Sequence, residues 1–254
     1  MPVTAVRTTG IFCREECAAS PRPENTLELA GAVDALFAGY RPCLRCRPEI
    51  PDSPRARRGL RRVELLGRLR HPRRRTPVNG VIFLALLETP IGPMVAGVAP
   101  DGLTLLEFSD RPMLETQLTI VQRRFRASCE PGWTALHGVV QAALDGYFRG
   151  EMTSFDIPIA TPGTPFQERV WTSLRDIPMG TTTSYAALAA EVGRAGASRA
   201  VGHANGMNRI SVVIPCHRVV GSDGALTGYG GGVWRKAWLL DHERRLARAS
   251  TATA

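Results

Sequence analysis

The chain has 254 residues, of which 44% are hydrophobic, and it carries a formal net charge of +9 at pH 7. This length and composition can form a buried core, which indicates a globular protein of one or two domains. The longest apolar run, 81–87, is too short to cross a bilayer, and the first residues lack the features of a signal peptide. We therefore expect a cytoplasmic protein with no membrane partner, in which the six cysteines serve metal binding or catalysis rather than disulfides.

The basic charge is concentrated in two segments. Residues 51–79 hold ten basic and two acidic residues, and residues 161–254 hold eleven basic and six acidic ones. Residues 80–160 hold five basic and nine acidic residues. A polyanion such as DNA would be attracted to both basic segments. The segment 51–79 could equally be a solvated linker with room for one short basic helix.

Two close pairs of cysteines lie in the first fifty residues. Three residues separate Cys13 from Cys17, and two separate Cys43 from Cys46. Two such pairs on either side of a loop predict a tetrahedral zinc site with four thiolate ligands. A core this small needs the metal in order to fold, so a purely structural zinc site is the first interpretation.

The loop between the cysteine pairs has the pattern of a helix. Asn25 is a suitable N-cap, Glu28 stands at the capping-box position, and Gly39 is a suitable stop. The sequence therefore predicts one amphipathic helix packed on the metal site.

The middle segment, 80–160, reads as mixed α/β. Strand-like runs within 83–108 are broken by turn residues, and Asp101-Gly102 predicts a hairpin. Apolar residues at helical spacing predict helices within 113–125 and 134–150. Cys129 is interpreted as a buried packing residue, and His137 has no partner at ligand spacing.

The last segment predicts three short helices before a cysteine. Thr164 and Pro165 form an N-cap and first-turn pair, a second helix starts near Ser184, and a third covers 197–208. This order is typical of a helix-turn-helix-like DNA module, although an ordinary helical subdomain would fit as well. The stretch IPCHRVVG then places Cys216 after an apolar run. Taken alone, a Pro-Cys-His tripeptide could belong to a packed core.

Five separated motifs change that interpretation: SYAAL, SRAVGHANGMN, IPCHRVV, GYGGG and WRKAWLLDHE. Together they resemble the O6-alkylguanine-DNA alkyltransferases (methylated-DNA–protein-cysteine methyltransferases) over residues 80–247. The resemblance implies that Cys216 attacks the alkyl carbon on guanine O6, that His217 is a base acting through a water, and that Glu243 orients it. This relay follows the general logic of a catalytic triad.

The same resemblance implies the substrate contacts. Tyr185 would donate to a ring nitrogen of guanine, and Asn208 would be the hinge between the DNA-reading helix and the cysteine loop. Because O6 lies inside the duplex, the nucleotide must be flipped out, and Arg199 would fill the gap. The remaining guanine contacts would come from Val219, Tyr229 and Gly230.

Gly230 departs from the family pattern, because some members carry a hydroxyl residue there. We hypothesise from the sequence that this glycine opens the pocket to larger O6-alkyl groups.

The N-terminal motifs AVRTTGIFC and FAGYRPCLRC, with both cysteine pairs, resemble the metal-binding domain of the Ada family over residues 3–48. The resemblance implies that Cys13 accepts a methyl group from a methylphosphotriester in the DNA backbone. It also implies that Thr9, Arg41 and Arg45 touch that backbone. The family domain starts with additional sequence that is absent here, so we expect either a trimmed module or a start upstream of Met1.

The resulting fold class is α/β in four parts. We expect a small zinc-bound domain over 1–50, an Arg-rich linker over 51–79, an alkyltransferase α/β subdomain over 80–160, and a helical, winged-helix-like catalytic subdomain over 161–254. The expected function is single-turnover repair of O6-alkylguanine in double-stranded DNA, by a monomer that uses zinc and no organic cofactor. A cysteine hydrolase and a zinc-dependent DNA-damage sensor or regulator are the alternatives.

Overall fold

The computed structural model describes residues 3–14, 17, 22–29, 35, 40–43 and 80–252. The Arg-rich segment 51–79, Arg45 and Cys46 lie outside these residues, so the expectations for them stay predictions. Within the described residues, no helix combines the length and the apolar character needed to cross a membrane.

The described N-terminal residues include a four-stranded sheet with the order β3-β1-β2-β4. Its strands are β1 (Val3–Val6), β2 (Ile11–Arg14), β3 (Thr26–Leu29) and β4 (Arg41–Pro42). Strand β1 pairs antiparallel with β2 and β3, whereas β2 pairs parallel with β4. This pairing places Cys13, on β2, beside Cys43, which directly follows β4.

The prediction of a helix that begins at Asn25 is wrong for the first turn of that helix. Pro23–Asn25 form a 3-10 turn, and the four residues after it form strand β3. Strand β3 pairs with β1 along its whole length, with Leu27 opposite Ala5. Backbone pairing with β1 satisfies the groups that a helix would bond internally, so tertiary context overrides the capping pattern. Ala35 is helical, and the rest of the predicted helix lies outside the described residues.

A second four-stranded sheet follows, with the order β7-β6-β5-β8. Its strands are β5 (Gly80–Leu87), β6 (Met94–Ala99), β7 (Gly102–Phe108) and β8 (Ala127–Pro131). The first three strands are antiparallel neighbours, and β8 lies parallel to β5. The hairpin predicted at Asp101-Gly102 is confirmed, since β6 and β7 pair antiparallel with Ala99 opposite Gly102. Gly102 has a φ of +136°, and a Cβ there would come within 2.5 Å of the Pro158 carbonyl oxygen.

The helices predicted in the middle segment are also confirmed, as α1 (Leu114–Phe125) and α2 (Ala135–Arg149). At the start of α2, the Thr134 N–H donates to His137 Nδ1 at 3.0 Å, so this histidine helps to cap its own helix. Cys129, on β8, is buried, and burial raises the pKa of its thiol to about 12. Both residues therefore have structural roles, as the sequence predicted for Cys129.

Four further helices follow: α3 (Pro165–Asp176), α4 (Tyr185–Glu191), α5 (Ser198–Gly206) and α6 (Val233–Ala252). The predicted Thr164 cap is present, and Ser184, near which the second helix was predicted to start, also caps its helix. The Thr164 hydroxyl accepts from the Gln167 N–H at 3.3 Å, and the Ser184 hydroxyl accepts from the Ala187 N–H at 3.0 Å. Two short strands, β9 (Thr183–Ser184) and β10 (Val219–Val220), pair in parallel and join the start of α4 to the residues after the cysteine loop.

Strand β7 carries the loop that leads to the cysteine. The Leu106 N–H donates to the Arg209 carbonyl at 2.7 Å, and the Ser211 N–H donates back to the Leu106 carbonyl at 2.8 Å. One hydrophobic core, which includes Phe108 and Cys216, continues from this sheet into the helices. The cysteine loop is therefore fixed to the sheet by backbone hydrogen bonds as well as by packing.

Candidate active site and zinc site

Cys216 opens a short 3-10 turn, Cys216–Arg218, immediately before β10. Its side chain is almost fully buried, at 5% exposure. The Asn208 side-chain amide donates to Cys216 Sγ at 3.1 Å, and the Asn205 amide donates to the Cys216 carbonyl at 3.3 Å. The end of α5 and the residues after it therefore hold the cysteine at both its backbone and its sulfur.

The surroundings of Cys216 favour the neutral thiol. Burial raises the pKa of the thiol, and the Asn208 hydrogen bond and the charges of Arg111 and Lys236 offset only part of that rise. The thiolate is the nucleophilic form of cysteine, so nucleophilic chemistry at this sulfur requires a group that removes the proton.

His217 and Glu243 form a buried pair beside the cysteine. His217 Nε2 lies 2.8 Å from Glu243 Oε1, and both side chains are inaccessible to solvent. Burial acts to raise the pKa of Glu243, but the His217 and Arg218 contacts outweigh it and hold that pKa well below its usual range. The carboxylate is therefore ionised and accepts a hydrogen from Nε2.

The protonated Nε2 fixes the tautomer of His217. Burial lowers the pKa of this imidazole, with the Glu243 contact opposing the shift, so the ring is neutral. Its second nitrogen, Nδ1, then carries a lone pair, and within the described part of the chain no protein group bonds to it. His217 can therefore accept a proton at Nδ1.

Three further groups hold the Glu243 carboxylate. The Arg218 guanidinium donates to both carboxylate oxygens at 2.9 Å, and the Tyr147 hydroxyl donates to Oε1 at 2.9 Å. The Gly180 N–H donates to Oε2 at 3.1 Å. A buried carboxylate with this number of donors is fixed in orientation as well as in charge.

A groove of about 610 Å³ lies between α4, α5 and the glycine-rich loop 227–230. It brings together four of the predicted substrate-binding residues: Tyr185, Arg199, Tyr229 and Gly230. Tyr229 also lies edge-on to the His217 ring, with the ring centroids 6.5 Å apart, which connects the groove to the buried pair. Arg199 is exposed on α5. Val219 is buried, and its carbonyl accepts from Lys236 Nζ at 2.5 Å.

Sequence reasoning missed Tyr147, Arg218, Lys236 and Arg111. Lys236 carried one visible signal, since it is the single Lys among 32 basic residues. Its ammonium group bonds the carbonyls of Val219 and Thr227 and so ties the glycine-rich loop to β10. Arg218 stood next to a predicted catalytic residue. Tyr147 and Arg111 come from elements far away in sequence, and no local pattern distinguishes them.

The predicted zinc ligands that the structure describes lie together. The sulfur atoms of Cys13, Cys17 and Cys43 are all within 4.8 Å of one another. Tetrahedral zinc with bonds of about 2.3 Å to sulfur requires sulfur separations of about 3.8 Å, so a small adjustment fits the ion. The fourth predicted ligand, Cys46, lies outside the described residues, as does Arg45. Thr9 is exposed in the turn between β1 and β2, and Arg41 lies on β4.

Comparison with known proteins agrees with the description of the Cys216 region and with that of the N-terminal cysteine cluster. Residues 165–245 match the family model of the 6-O-methylguanine DNA methyltransferase DNA-binding domain, and residues 2–49 match the metal-binding domain of Ada. A methylated-DNA–protein-cysteine methyltransferase from Mycolicibacterium paratuberculosis is 49% identical over 60% of this chain and 92% of its own length. One from Salmonella typhimurium is 56% identical over 63% of this chain and 97% of its own length.

Solved structures show the same relationship. The crystal structure of O6-methylguanine methyltransferase from Mycobacterium tuberculosis has a TM-score of 0.54 and 41% identity, and it covers 65% of this chain and 93% of its own. The structure of the same organism's protein in complex with DNA has a TM-score of 0.55 and 38% identity over 65% and 94% of the two chains. Given this identity over almost the whole length of its relatives, the chain belongs to the methylated-DNA–protein-cysteine methyltransferase family.

Proposed function

We propose that this protein repairs duplex DNA by transferring an alkyl group from guanine O6 to Cys216 Sγ. The observation that carries the proposal is the contact of Asn208 with the Cys216 sulfur, at 3.1 Å, next to the buried His217–Glu243 pair. In the proposed step the thiolate forms a bond to the alkyl carbon and the carbon–O6 bond breaks. The electron pair of that bond goes to the guanine, which takes up a proton.

The thiol proton is removed by His217. Its Nδ1 lone pair accepts the proton through a bridging water, and the ionised Glu243 stabilises the imidazolium that forms. A buried thiol with a raised pKa needs such a base, whereas an exposed thiol would be partly ionised on its own. Asn208 donates to the sulfur throughout and connects it to the end of α5.

The substrate enters the groove as a flipped nucleotide. Arg199, exposed on α5, occupies the gap left in the duplex, and Tyr185 donates to the guanine as negative charge develops on it. Tyr229, Gly230 and the backbone near Val219 contact the base. The Val219 carbonyl can accept a second hydrogen bond beside the one from Lys236, because a carbonyl has two lone pairs.

The product is a thioether on Cys216, and the step includes no group that would regenerate the thiol. Each molecule therefore acts once. The proposed form of the protein is a monomer that uses no organic cofactor. A cysteine hydrolase would turn over, and a regulator that only binds DNA would tolerate loss of the thiol. The number of alkyl groups transferred per molecule therefore distinguishes the proposal from a hydrolase, and the effect of Cys216→Ser distinguishes it from a regulator.

We further propose that residues 1–50 form a zinc domain, joined by the linker 51–79 to an alkyltransferase of two subdomains, 80–160 and 161–254. Four thiolates on one zinc ion leave a net double negative charge, so a bound sulfur keeps its nucleophilic character. Cys13 would then accept a methyl group from a methylphosphotriester, with Thr9, Arg41 and Arg45 on the DNA backbone. Such a second acceptor could also serve as a damage sensor.

The test is peptide mass spectrometry of the zinc-loaded protein after incubation with duplex DNA that carries O6-methylguanine and methylphosphotriesters. One methyl group on Cys216 and one on Cys13 are expected, without further turnover. A methyl on Cys216 alone would leave zinc with a structural role only. An unmodified Cys216 in folded, DNA-bound protein would overturn the main proposal, and Cys216→Ser is the control for reaction elsewhere.

A further inference from the structure

Arg111 is a buried residue between the sheet and the cysteine site. It lies three residues after the end of β7 and is 7% exposed. Its guanidinium donates to the Gly206 carbonyl at 2.7 Å and to the Asn208 carbonyl at 3.2 Å, and it is paired with the Glu107 carboxylate. Arg111 therefore bonds both the end of α5 and the residue whose side chain holds the cysteine sulfur.

The same guanidinium occupies the space beside Gly230. A Cβ atom at position 230 would lie 2.5 Å from Arg111 Cζ and 2.7 Å from its Nε. Real atoms do not approach so closely, so a side chain at 230 and Arg111 in its present position exclude each other. The hypothesis that Gly230 opens the pocket to larger O6-alkyl groups stays a prediction, and the structure offers a different reason for the glycine, because Arg111 occupies the space that a side chain there would need.

We propose that Arg111 is a positioning residue that takes the place of a side chain at position 230 and couples the wall of the groove to the Asn208–Cys216 contact. This inference rests on the proposed function and adds a positioning residue to it. The glycine is required because the guanidinium needs the space, rather than because the substrate does.

The hydrogen bonds show how the coupling would act. Displacing Arg111 would release the carbonyls of Gly206 and Asn208 together, and the Asn208 amide would lose a fixed backbone. The Asn208 amide also bonds the Ile214 carbonyl at 2.9 Å, just before the cysteine. A change in the groove would therefore affect the Cys216 sulfur through Arg111 and Asn208, which contact each other. Mutations at residues in contact commonly have effects that are not additive.

The experiment is a double-mutant cycle on the full chain with Gly230→Ala and Arg111→Lys. Lysine keeps the charge that pairs with Glu107, but it lacks the planar group that a Cβ would meet. The readout is the single-turnover rate of methyl transfer from O6-methylguanine in duplex DNA, with thermal unfolding as a check on folding. Gly138→Ala is the matched control, since a Cβ at that helical glycine has no heavy atom within 4 Å.

We expect Gly230→Ala to slow transfer by about tenfold in the wild-type background and by less than about twofold in the Arg111→Lys background. The same factor in both backgrounds would overturn the inference. An unreactive wild-type protein would instead count against the proposed function. A second measurement tests the inference about Arg111 independently of the DNA reaction.

That measurement is the pH dependence of Cys216 alkylation by iodoacetamide without DNA, followed by peptide mass spectrometry. The charged and titratable groups that interact electrostatically with the Cys216 sulfur are Arg111, Lys236 and Tyr229, and Glu107 is paired with Arg111. Arg111→Lys keeps the positive charge but loses the planar group that bonds the carbonyls of Gly206 and Asn208, so a shift of the reaction to higher pH in this variant would reflect a weaker Asn208 contact with the sulfur rather than a lost charge. An unchanged profile would overturn the positioning role whether or not the DNA reaction occurs.

Discussion

His217 Nε2 and Glu243 Oε1 lie 2.8 Å apart, and neither side chain has any solvent exposure. The carboxylate also accepts hydrogen bonds from Arg218, Tyr147 and the Gly180 N–H. Three separate parts of the chain thus converge on one carboxylate. The histidine beside the candidate nucleophile is held in a single tautomer by this arrangement.

Glu243→Gln should slow methyl transfer to Cys216 by about 100-fold, because a neutral amide stabilises an imidazolium poorly and does not enforce the tautomer. Single-turnover transfer from O6-methylguanine in duplex DNA measures this effect. Binding to the same DNA should be unchanged. Glu151→Gln, on an exposed residue, is the control for loss of a carboxylate. A rate within twofold of wild type would contradict the role of Glu243.

Tyr147→Phe should remove one buried hydrogen bond to Glu243 and little else, since the ring is retained. We expect a loss of about 1 kcal/mol in the free energy of unfolding, and a smaller loss of transfer rate than in Glu243→Gln. Chemical denaturation gives the first quantity and single-turnover kinetics the second. If Tyr147→Phe lowered the rate further in the Glu243→Gln background, the hydroxyl would have a role that does not act through the carboxylate.

Acid should destabilise the protein through its buried histidines. Burial is the main cause that lowers the pKa of His137, His217 and His242 below their ordinary value of 6.5. The folded state then binds fewer protons than the unfolded state below pH 6.5, so stability falls as the pH drops through this range. Thermal unfolding between pH 7.5 and pH 5 should show a falling midpoint.

His242→Gln should make that fall less steep, since one titrating group is lost while a side-chain donor to the Tyr147 carbonyl is kept. An equal slope in wild type and variant would show that other groups, rather than this histidine, determine the acid sensitivity.

Cys17→Ser should abolish stoichiometric zinc binding, because the three described sulfurs share one site. Metal analysis of the purified full chain measures the zinc content directly. Transfer to Cys216 should be retained, since the hydrogen bonds described for Cys216, His217 and Glu243 all come from residues 147–243. Cys129→Ala, at a buried cysteine outside the cluster, should keep its zinc. Equal zinc content in both variants would contradict the assignment.

Much of the fold follows from local sequence signals. Thr164 caps the helix that it was predicted to cap, α4 begins next to Ser184 as predicted, and Gly102 has the positive φ that a tight hairpin requires. Local rules failed at Asn25, where a capping pattern was overridden by the pairing of β3 with β1, whose partner residues are 20 to 26 positions apart. Capping strength is about 1 kcal/mol, which is less than the pairing of a complete strand can supply.

The site was predictable where its residues share a motif, and it was not where they come from distant segments. Asn208, Cys216 and His217 lie within ten residues of one another, and a family resemblance reaches all of them. Tyr147 and Arg111 act through contacts that only the folded chain creates. At position 230 the sequence identified the glycine as unusual. Only the structure shows that the Arg111 guanidinium occupies the space where a side chain would lie.

The backbone hydrogen bonds of Leu106 with Arg209 and Ser211 couple the unfolding of the middle segment to that of the cysteine loop. A cut that released residues 165–245 alone would remove the strand to which the cysteine loop is bonded, and would leave the Arg209 carbonyl and the Ser211 N–H of that loop without their partners. The strands of the middle segment and the DNA-binding helices should therefore unfold in one cooperative transition. Slow hydrogen exchange at the Leu106 and Ser211 amides would report on that transition for both.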